Sequence, residues 1–375
     1  MIVYIAITSI MLLLLALIRR VELAGEGGVR PYSRGESAVR LVLVILFFVM
    51  VIPEALRVNV GNDYMKYVEF MHLTTVKGAY LVTEPGFNGL VRLIYGLCGY
   101  ENYLLVFAIF AAGTAAMSII GTRLQAPDFA FSFFLFLMFG YYLQSYNTVR
   151  YYFALAAILI ALYFFTRREW IPFVCLVLFA ACFHKSALVV LALWPLCLLP
   201  WNLVMTGAAA ALGLAVNLPA LRGLWMDVLV RLYPSYENTV FIGQVRLSFV
   251  NIARCAAVLL LALYDLRVRG VRKKDLPAVE QFYFNATLLA LGIYVFGSFV
   301  PEVSRIAYYL TVTQIFYLPV LVLRGRKELR VLTVCAAVLY FAAFLWKAGS
   351  PDIRILPYQT IVFHDLPRIL SEVTQ

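Results

Sequence analysis

In "LRVNVGNDYMKYVEF", Leu56 to Phe70, Asp63 stands among Arg57, Asn59, Asn62, Lys66 and Glu69. A second such mixture is "ACFHKSAL", where His184 precedes Lys185. Single arginines recur in "QSYNTVRYY" (Arg150), "PEVSRIAYY" (Arg305) and "SPDIRILPYQTIVF" (Arg354, with Tyr358). A carboxylate or an imidazole within hydrogen-bond reach of a hydroxyl can take its proton. Guanidinium groups grip phosphate in bidentate fashion. Placed beforehand, they also steady the negative charge that grows on a leaving group. The set therefore suits an anionic, phosphate-bearing substrate, with Asp63 or His184 as the base. No metal or other cofactor is demanded, because the arginines can carry out the electrostatic work.

These residues must be positioned by membrane helices. The chain has 375 residues, 63% of them hydrophobic and 14% charged, with a mean hydropathy of +0.88. A bilayer core about 30 Å thick needs about 20 apolar residues as a helix. The apolar runs fall at 2–18, 40–53, 102–120, 129–145, 150–166, 170–183, 186–199, 203–220, 248–265, 279–299, 305–323 and 330–346. They lack the period-two alternation of an outer-membrane barrel. The expected fold is an all-α polytopic membrane protein of about twelve spans, a single integral membrane domain over 1–375 with no soluble domain.

Charge sets the sides. The net charge of +11 lies mostly in short loops, which argues for cytoplasmic loops rather than a nucleic-acid surface. Loops 19–39, 266–276 and 324–329 and the arginines of "TRREW" fall on one side of this segmentation. That side is expected to be cytoplasmic, which places both termini outside. The longer outer segments are 54–101, 221–247 and 347–375. Within the first, "EPGFNGLVRLIYGLC" carries a helical stripe of Phe87, Leu90, Val91, Ile94 and Leu97, with Pro85 at a first-turn position. It reads as a helix lying along the outer membrane surface. The six cysteines form no CxxC pair and read as small hydrophobes.

All the chemistry-bearing residues then belong to outward connections. The run Trp170 to Phe183 is short, about 21 Å as a helix, so His184 and Lys185 are expected below the outer surface. Arg254, inside "VNIARCAAVLLLAL", is the best intramembrane charge. Such groups are tolerated only inside protein or a watery cavity. Plainer roles exist for each. Asp63 suits a helix cap, the arginines and Lys185 suit snorkelling anchors, and His184 suits an interhelical hydrogen bond. Lys66 and Glu69 suit a surface pair.

The segments "ALRVNVGNDYMKYVEF", "EPGFNGLVRLI", "NTVRYYFALAAILIAL", "LVLFAACFHKSALVVL", "SRIAYYL" and "LPYQTIVF" occur in one order over about residues 40 to 363. In this they resemble the EpsG-like family of bacterial exopolysaccharide and O-antigen polymerases, the Wzy-type enzymes. The resemblance implies polymerisation of polyprenyl-pyrophosphate-linked oligosaccharide repeats at the outer face of the bacterial cytoplasmic membrane. It also suggests kinship with polytopic GT-C-like glycosyltransferases that carry a carboxylate in the first outer loop, where Asp63 lies.

On this reading Arg57, Arg150, Lys185 and Arg305 bind pyrophosphate, with Arg254, Arg354 and Tyr358 as further substrate contacts. Asp63 is the base and His184 its rival. The partners are the lipid-linked substrate and the membrane, with a chain-length regulator as a candidate protein partner and no nucleic acid. The competing readings are a single-sugar transferase or ligase, an exporter or flippase, and a membrane acyltransferase built on His184.

Overall fold

In lipid every backbone polar group must be satisfied inside its own segment, so apolar runs of this kind fold as helices. The computed structural model describes residues 1–26, 33–76, 84–232, 247–299, 303–325 and 327–365. Among the described residues the secondary structure is helical, with one isolated bridge and no strand. Eight helices of the described residues are long and apolar enough to cross a membrane: Ile2–Glu22, Gly35–Ala55, Tyr103–Gln125, Val149–Thr166, Phe249–Arg269, Ala278–Phe296, Val303–Leu323 and Lys327–Lys347. The other expected spans appear as shorter apolar helices, Phe129–Met138, Trp170–Phe183, Lys185–Cys197 and Leu203–Val216.

The chain divides into two compact units. The first, Met1–Ala187 with Arg326–Gln375, holds α1 (Ile2–Glu26), α2 (Ser33–Ala55), α3 (Tyr64–Leu73), α4 (Pro85–Cys98) and α5 (Tyr103–Gln125). It continues with α6 (Phe129–Met138), α7 (Tyr141–Ser145), α8 (Val149–Thr166) and α9 (Trp170–Phe183). Helix α8 is its centre and packs on α5 and α9. The α5–α8 contact is close because α5 offers glycines there. A Cβ on Gly121 would stand 2.8 Å from the Leu159 Cβ, and one on Gly113 would meet the Phe153 ring. Small residues at such seams let membrane helices approach.

Two starts in this unit are capped by side chains. Asn102 accepts from the Leu105 N–H at 3.0 Å and Asp128 from the Phe131 N–H at 2.9 Å. The run 129–145, expected as one span, is broken. Gly140 takes a left-handed conformation (φ 77°) between α6 and α7, a place where glycine pays no steric cost. Helix α4 starts at Pro85, as its sequence suggests. Its buried face is Phe87, Asn88, Val91, Ile94 and Tyr95, packed on α3 and α5, while Leu93 and Leu97 are exposed.

The second unit, Leu188–Gly325, holds α10 (Val190–Cys197), α11 (Leu203–Val216), α12 (Pro219–Leu232), α13 (Phe249–Arg269), α14 (Ala278–Phe296), α15 (Val303–Thr311) and α16 (Gln314–Leu323). The start of the long segment 221–247 is thus helical, and 233–246 lies outside the described residues. Helix α17 (Lys327–Lys347) returns to the first unit.

Within each unit, ion pairs join neighbouring loops at one end. In the first, Arg19 pairs with Asp128 at 3.5 Å and Arg123 with Glu22. In the second, Glu280 accepts from Arg324 at 2.6 Å and lies 3.8 Å from Arg269. There Lys273 Nζ also donates to the Trp201 carbonyl at 2.6 Å.

Candidate functional site

The opposite end of the first unit gathers most of the residues singled out in the sequence. The chain after α2 and the tail after α17 run against each other. Val58 N–H donates to the Gln359 carbonyl at 3.0 Å, Gly61 N–H to Arg354 at 2.9 Å and Ile361 N–H to Leu56 at 3.0 Å. Arg57 and Thr360 form an antiparallel bridge. Side chains reinforce the seam. Arg354 Nη2 donates to Asn59 Oδ1 at 2.6 Å, and the Tyr358 hydroxyl to the Pro53 carbonyl at 3.0 Å. Arg354 is exposed, whereas Tyr358 lies edge-on to Tyr4 at 5.6 Å and pins the tail inward. Burial pushes the Tyr358 phenol above its ordinary pKa.

Arg57 is sealed, with 1% of its surface exposed. Its Nη1 donates to the Glu54 carbonyl and lies 4.0 Å from the Glu54 carboxylate, which is itself buried. The guanidinium carbon stands 4.9 Å from the Phe107 ring centre, 5.3 Å from Tyr146 and 5.9 Å from Tyr64. Its Nε and Nη2 find no hydrogen-bond partner, so the ring faces are their surroundings. Burial raises the Tyr64 phenol, against the opposing pull of Arg57. An outward cavity wall would have left Arg57 accessible; here aromatic rings cover it.

Arg150 occupies a parallel box one step along α3. Its guanidinium carbon lies 5.2 Å from Phe87, 5.4 Å from Tyr67 and 5.8 Å from Phe70. Helix α3 therefore turns Tyr64 to one arginine and Tyr67 and Phe70 to the other, at the three-residue spacing of one helical face. Phe107 stacks on Tyr64 at 4.7 Å and meets Tyr67 edge-on at 6.4 Å.

Arg150 Nη1 is ion-paired to Glu84 Oε2. The other Glu84 oxygen accepts the Lys185 backbone N–H at 3.3 Å. His184 ends α9 in an extended conformation, its Nδ1 2.6 Å from Ser186 Oγ and its ring edge-on to Tyr151 at 5.2 Å. Lys185 is exposed and His184 half-buried. The predicted bounds of this short helix, Trp170 to Phe183, are those observed.

Asp63 stands at the N-cap of α3 but makes no side-chain cap bond. Its carboxylate, about a fifth exposed, faces Lys66 at 3.5 Å, so Lys66 turns back to Asp63 instead of pairing with Glu69. The Asp63 backbone N–H donates to Asn147 Oδ1 at 3.1 Å. Gly61 (φ 98°) allows this approach, since a Cβ there would lie 3.0 Å from the Asn147 Cα and collide with the Tyr146 carbonyl.

Arg254 and Arg305 belong to the second unit. Arg254 is buried in the second turn of α13, and Arg305 is half-buried in the first turn of α15. Two carboxylates escaped the sequence reading, Glu54 and Glu84. Glu84 directly precedes Pro85, a pattern that reads as a helix cap. Only the fold shows that its carboxylate leaves its own helix uncapped to reach Arg150 and Lys185.

The helices and this cationic, carboxylate-buttressed end define a multi-pass α-helical membrane protein with a candidate anion site at one end of its first unit. The family model of the EpsG family matches residues 40–360, and the chain belongs to that family. The match runs from within α2 through Tyr358 and includes Arg57, Asp63, Glu84, Arg150, His184, Lys185 and Arg354, while Tyr4 of α1 lies before it. No curated protein and no solved structure gives a significant match to the chain. Membership is consistent, at the family level, with a glycosyltransferase-like polysaccharide polymerase.

Proposed function

We propose that this protein polymerises polyprenyl-pyrophosphate-linked oligosaccharide repeats at the outer face of the bacterial cytoplasmic membrane. The observation that carries the reading is the convergence of the family-matched segments around Asp63, Glu84, Arg150, His184 and Lys185 at one end of the first unit. In the reaction, the acceptor sugar hydroxyl attacks the anomeric carbon of the growing chain. The bond from that carbon to the pyrophosphate oxygen breaks, and the polyprenyl pyrophosphate leaves with the electron pair. Asp63 takes the hydroxyl proton, with His184 as the rival base. Arg150 and Lys185 hold the pyrophosphate, and Arg354 and Tyr358 border the acceptor. Arg57 contributes its charge from beneath the aromatic wall, since it is sealed. For Arg254 and Arg305 the anion-binding role rests on the sequence alone.

The arginines and the lysine supply the charge stabilisation in place of a metal, so chelator leaves the rate unchanged in this reading. We also infer twelve spans with both termini outside, GT-C-like kinship and a chain-length regulator as partner. The deciding experiment incubates purified protein with lipid-linked repeat extracted from cells that lack it. A ladder of lengths supports the polymerase, and one added unit indicates a ligase or single-sugar transferase. Substrate left unchanged, but moved across vesicle membranes, indicates an exporter.

A further inference from the structure

We propose that Glu84 is a positioning residue that sets the spacing and aim of the two cations holding the pyrophosphate, Arg150 and Lys185. The inference deepens the site described above and rests on that reading. Three observations carry it. First, Glu84 is buried, with 9% exposure, yet its two oxygens serve two other segments: Oε2 takes Arg150 Nη1 on α8, and Oε1 takes the Lys185 N–H after α9. Glu84 makes no side-chain bond to its own helix.

Second, the contact is built into the backbone. A Cβ on Gly86 would stand 2.7 Å from the Cys182 carbonyl oxygen, so the first turn of α4 sits directly on the end of α9. Third, Arg150 has little freedom left. Three rings wall its guanidinium and Glu84 takes Nη1, which leaves the Nη2 end to meet a ligand. One carboxylate thus couples the direction of Arg150 to the position of the His184–Lys185 turn. A clamp set before the ligand arrives avoids the ordering cost of binding. It also keeps its donors where charge develops.

The experiment compares Glu84→Gln, Glu84→Asp and Glu84→Ala. Gln keeps the length and, through its one acceptor oxygen, one of the two bonds. Asp keeps the charge but is too short to reach both. Positioning predicts that Gln retains activity and probe affinity within about tenfold of the parent, while Asp and Ala lose about 100-fold in activity and weaken the probe in the same order. Each variant is also titrated with farnesyl pyrophosphate as a binding probe, and its folded fraction is checked by size exclusion. The order Asp above Gln, with a changed acidic limb of the pH profile, would make Glu84 a base and overturn the proposal. Equal activity in all three, or losses that follow folded fraction alone, would overturn it as well. The two readings fail separately. If the parent forms polymer while probe affinity and rate ignore Glu84, the positioning role is wrong and the polymerase stands. If probe affinity follows the predicted order while the parent makes no polymer, the polymerase is wrong and the clamp stands.

Discussion

The backbone N–H of Asp63 is held by the side-chain oxygen of Asn147, 3.1 Å away, so the turn before α8 fixes the residue that opens α3. The bond uses the Asp63 main chain and leaves its carboxylate to Lys66 and to a ligand.

Asp63→Asn therefore separates chemistry from fold. Asn opens a helix nearly as well as Asp, the Asn147 bond is untouched, and no side-chain cap bond exists to be lost. The variant should fold normally, bind farnesyl pyrophosphate at least as tightly as the parent and make no polymer in cells. Polymer of normal length would show that Asp63 is not the base, and attention would pass to His184.

Asn147→Ala tests the positioning of the same residue. It removes the acceptor of the Asp63 N–H and should cost about 1 kcal/mol of stability. Its polymerisation rate should fall by more than its folded fraction, as measured by thermal unfolding in detergent. A rate that tracks the folded fraction would show that the Asn147 bond has no bearing on the base.

Gly61→Ala tests the backbone contact that brings loop and turn together. Its φ of 98° is unfavourable for any L side chain, and the new Cβ would collide with the Tyr146 carbonyl. The expected result is a large fall in folded yield, read by size exclusion. A well-folded Gly61→Ala would mean that the loop can draw away from the turn.

Much of this was legible in the sequence, and the parts that were not share a cause. Apolar runs gave the helices and the bounds of α9, because segment length and composition are local properties. The charge rule grouped loops 266–276 and 324–329, and in the second unit Arg269 and Arg324 do meet at Glu280. Asp63, Arg150, His184 and Lys185 were singled out by residue type and by the family resemblance, and the fold brings their segments to one end of the first unit. The sealing of Arg57 was hidden, because its walls, Phe107 and Tyr146, come from distant segments. Glu84 was hidden for the same reason, since a carboxylate before a proline looks like a cap until its partners are known. Gly140 could be named as a glycine, but only the observed φ shows that it divides α6 from α7.

The buried Arg57–Glu54 pair makes a prediction about stability. Removing one partner of a buried pair leaves the other charge uncompensated and costs on the order of 3–5 kcal/mol. Arg57→Leu should therefore be strongly destabilised, whereas Arg57→Leu with Glu54→Leu should recover much of the loss. Chemical unfolding of the single and double variants in detergent checks this. If the double variant is no better than the single, the aromatic box around Arg57 matters more than the charge balance.

Lys273, at the far end of the second unit, gives a pH signature. Its Nζ donates to the Trp201 carbonyl at 2.6 Å and lies 4.7 Å from the Phe284 ring centre. Burial lowers its pKa from 10.5 to about 8. The charged form is thus disfavoured in the folded protein. Below about pH 8 both states carry the proton, and the penalty is constant. As pH rises from about 8 to 10.5 the folded protein releases its proton first, so the unfolded chain binds more protons and stability increases. Lys273→Met should remove that increase. The measurement is the difference in Tm between the parent and Lys273→Met from pH 7 to 10.5, which subtracts the titration of other groups. The difference should move in favour of the parent as pH rises; a difference that is flat with pH would mean that Lys273 keeps its ordinary pKa in the folded protein.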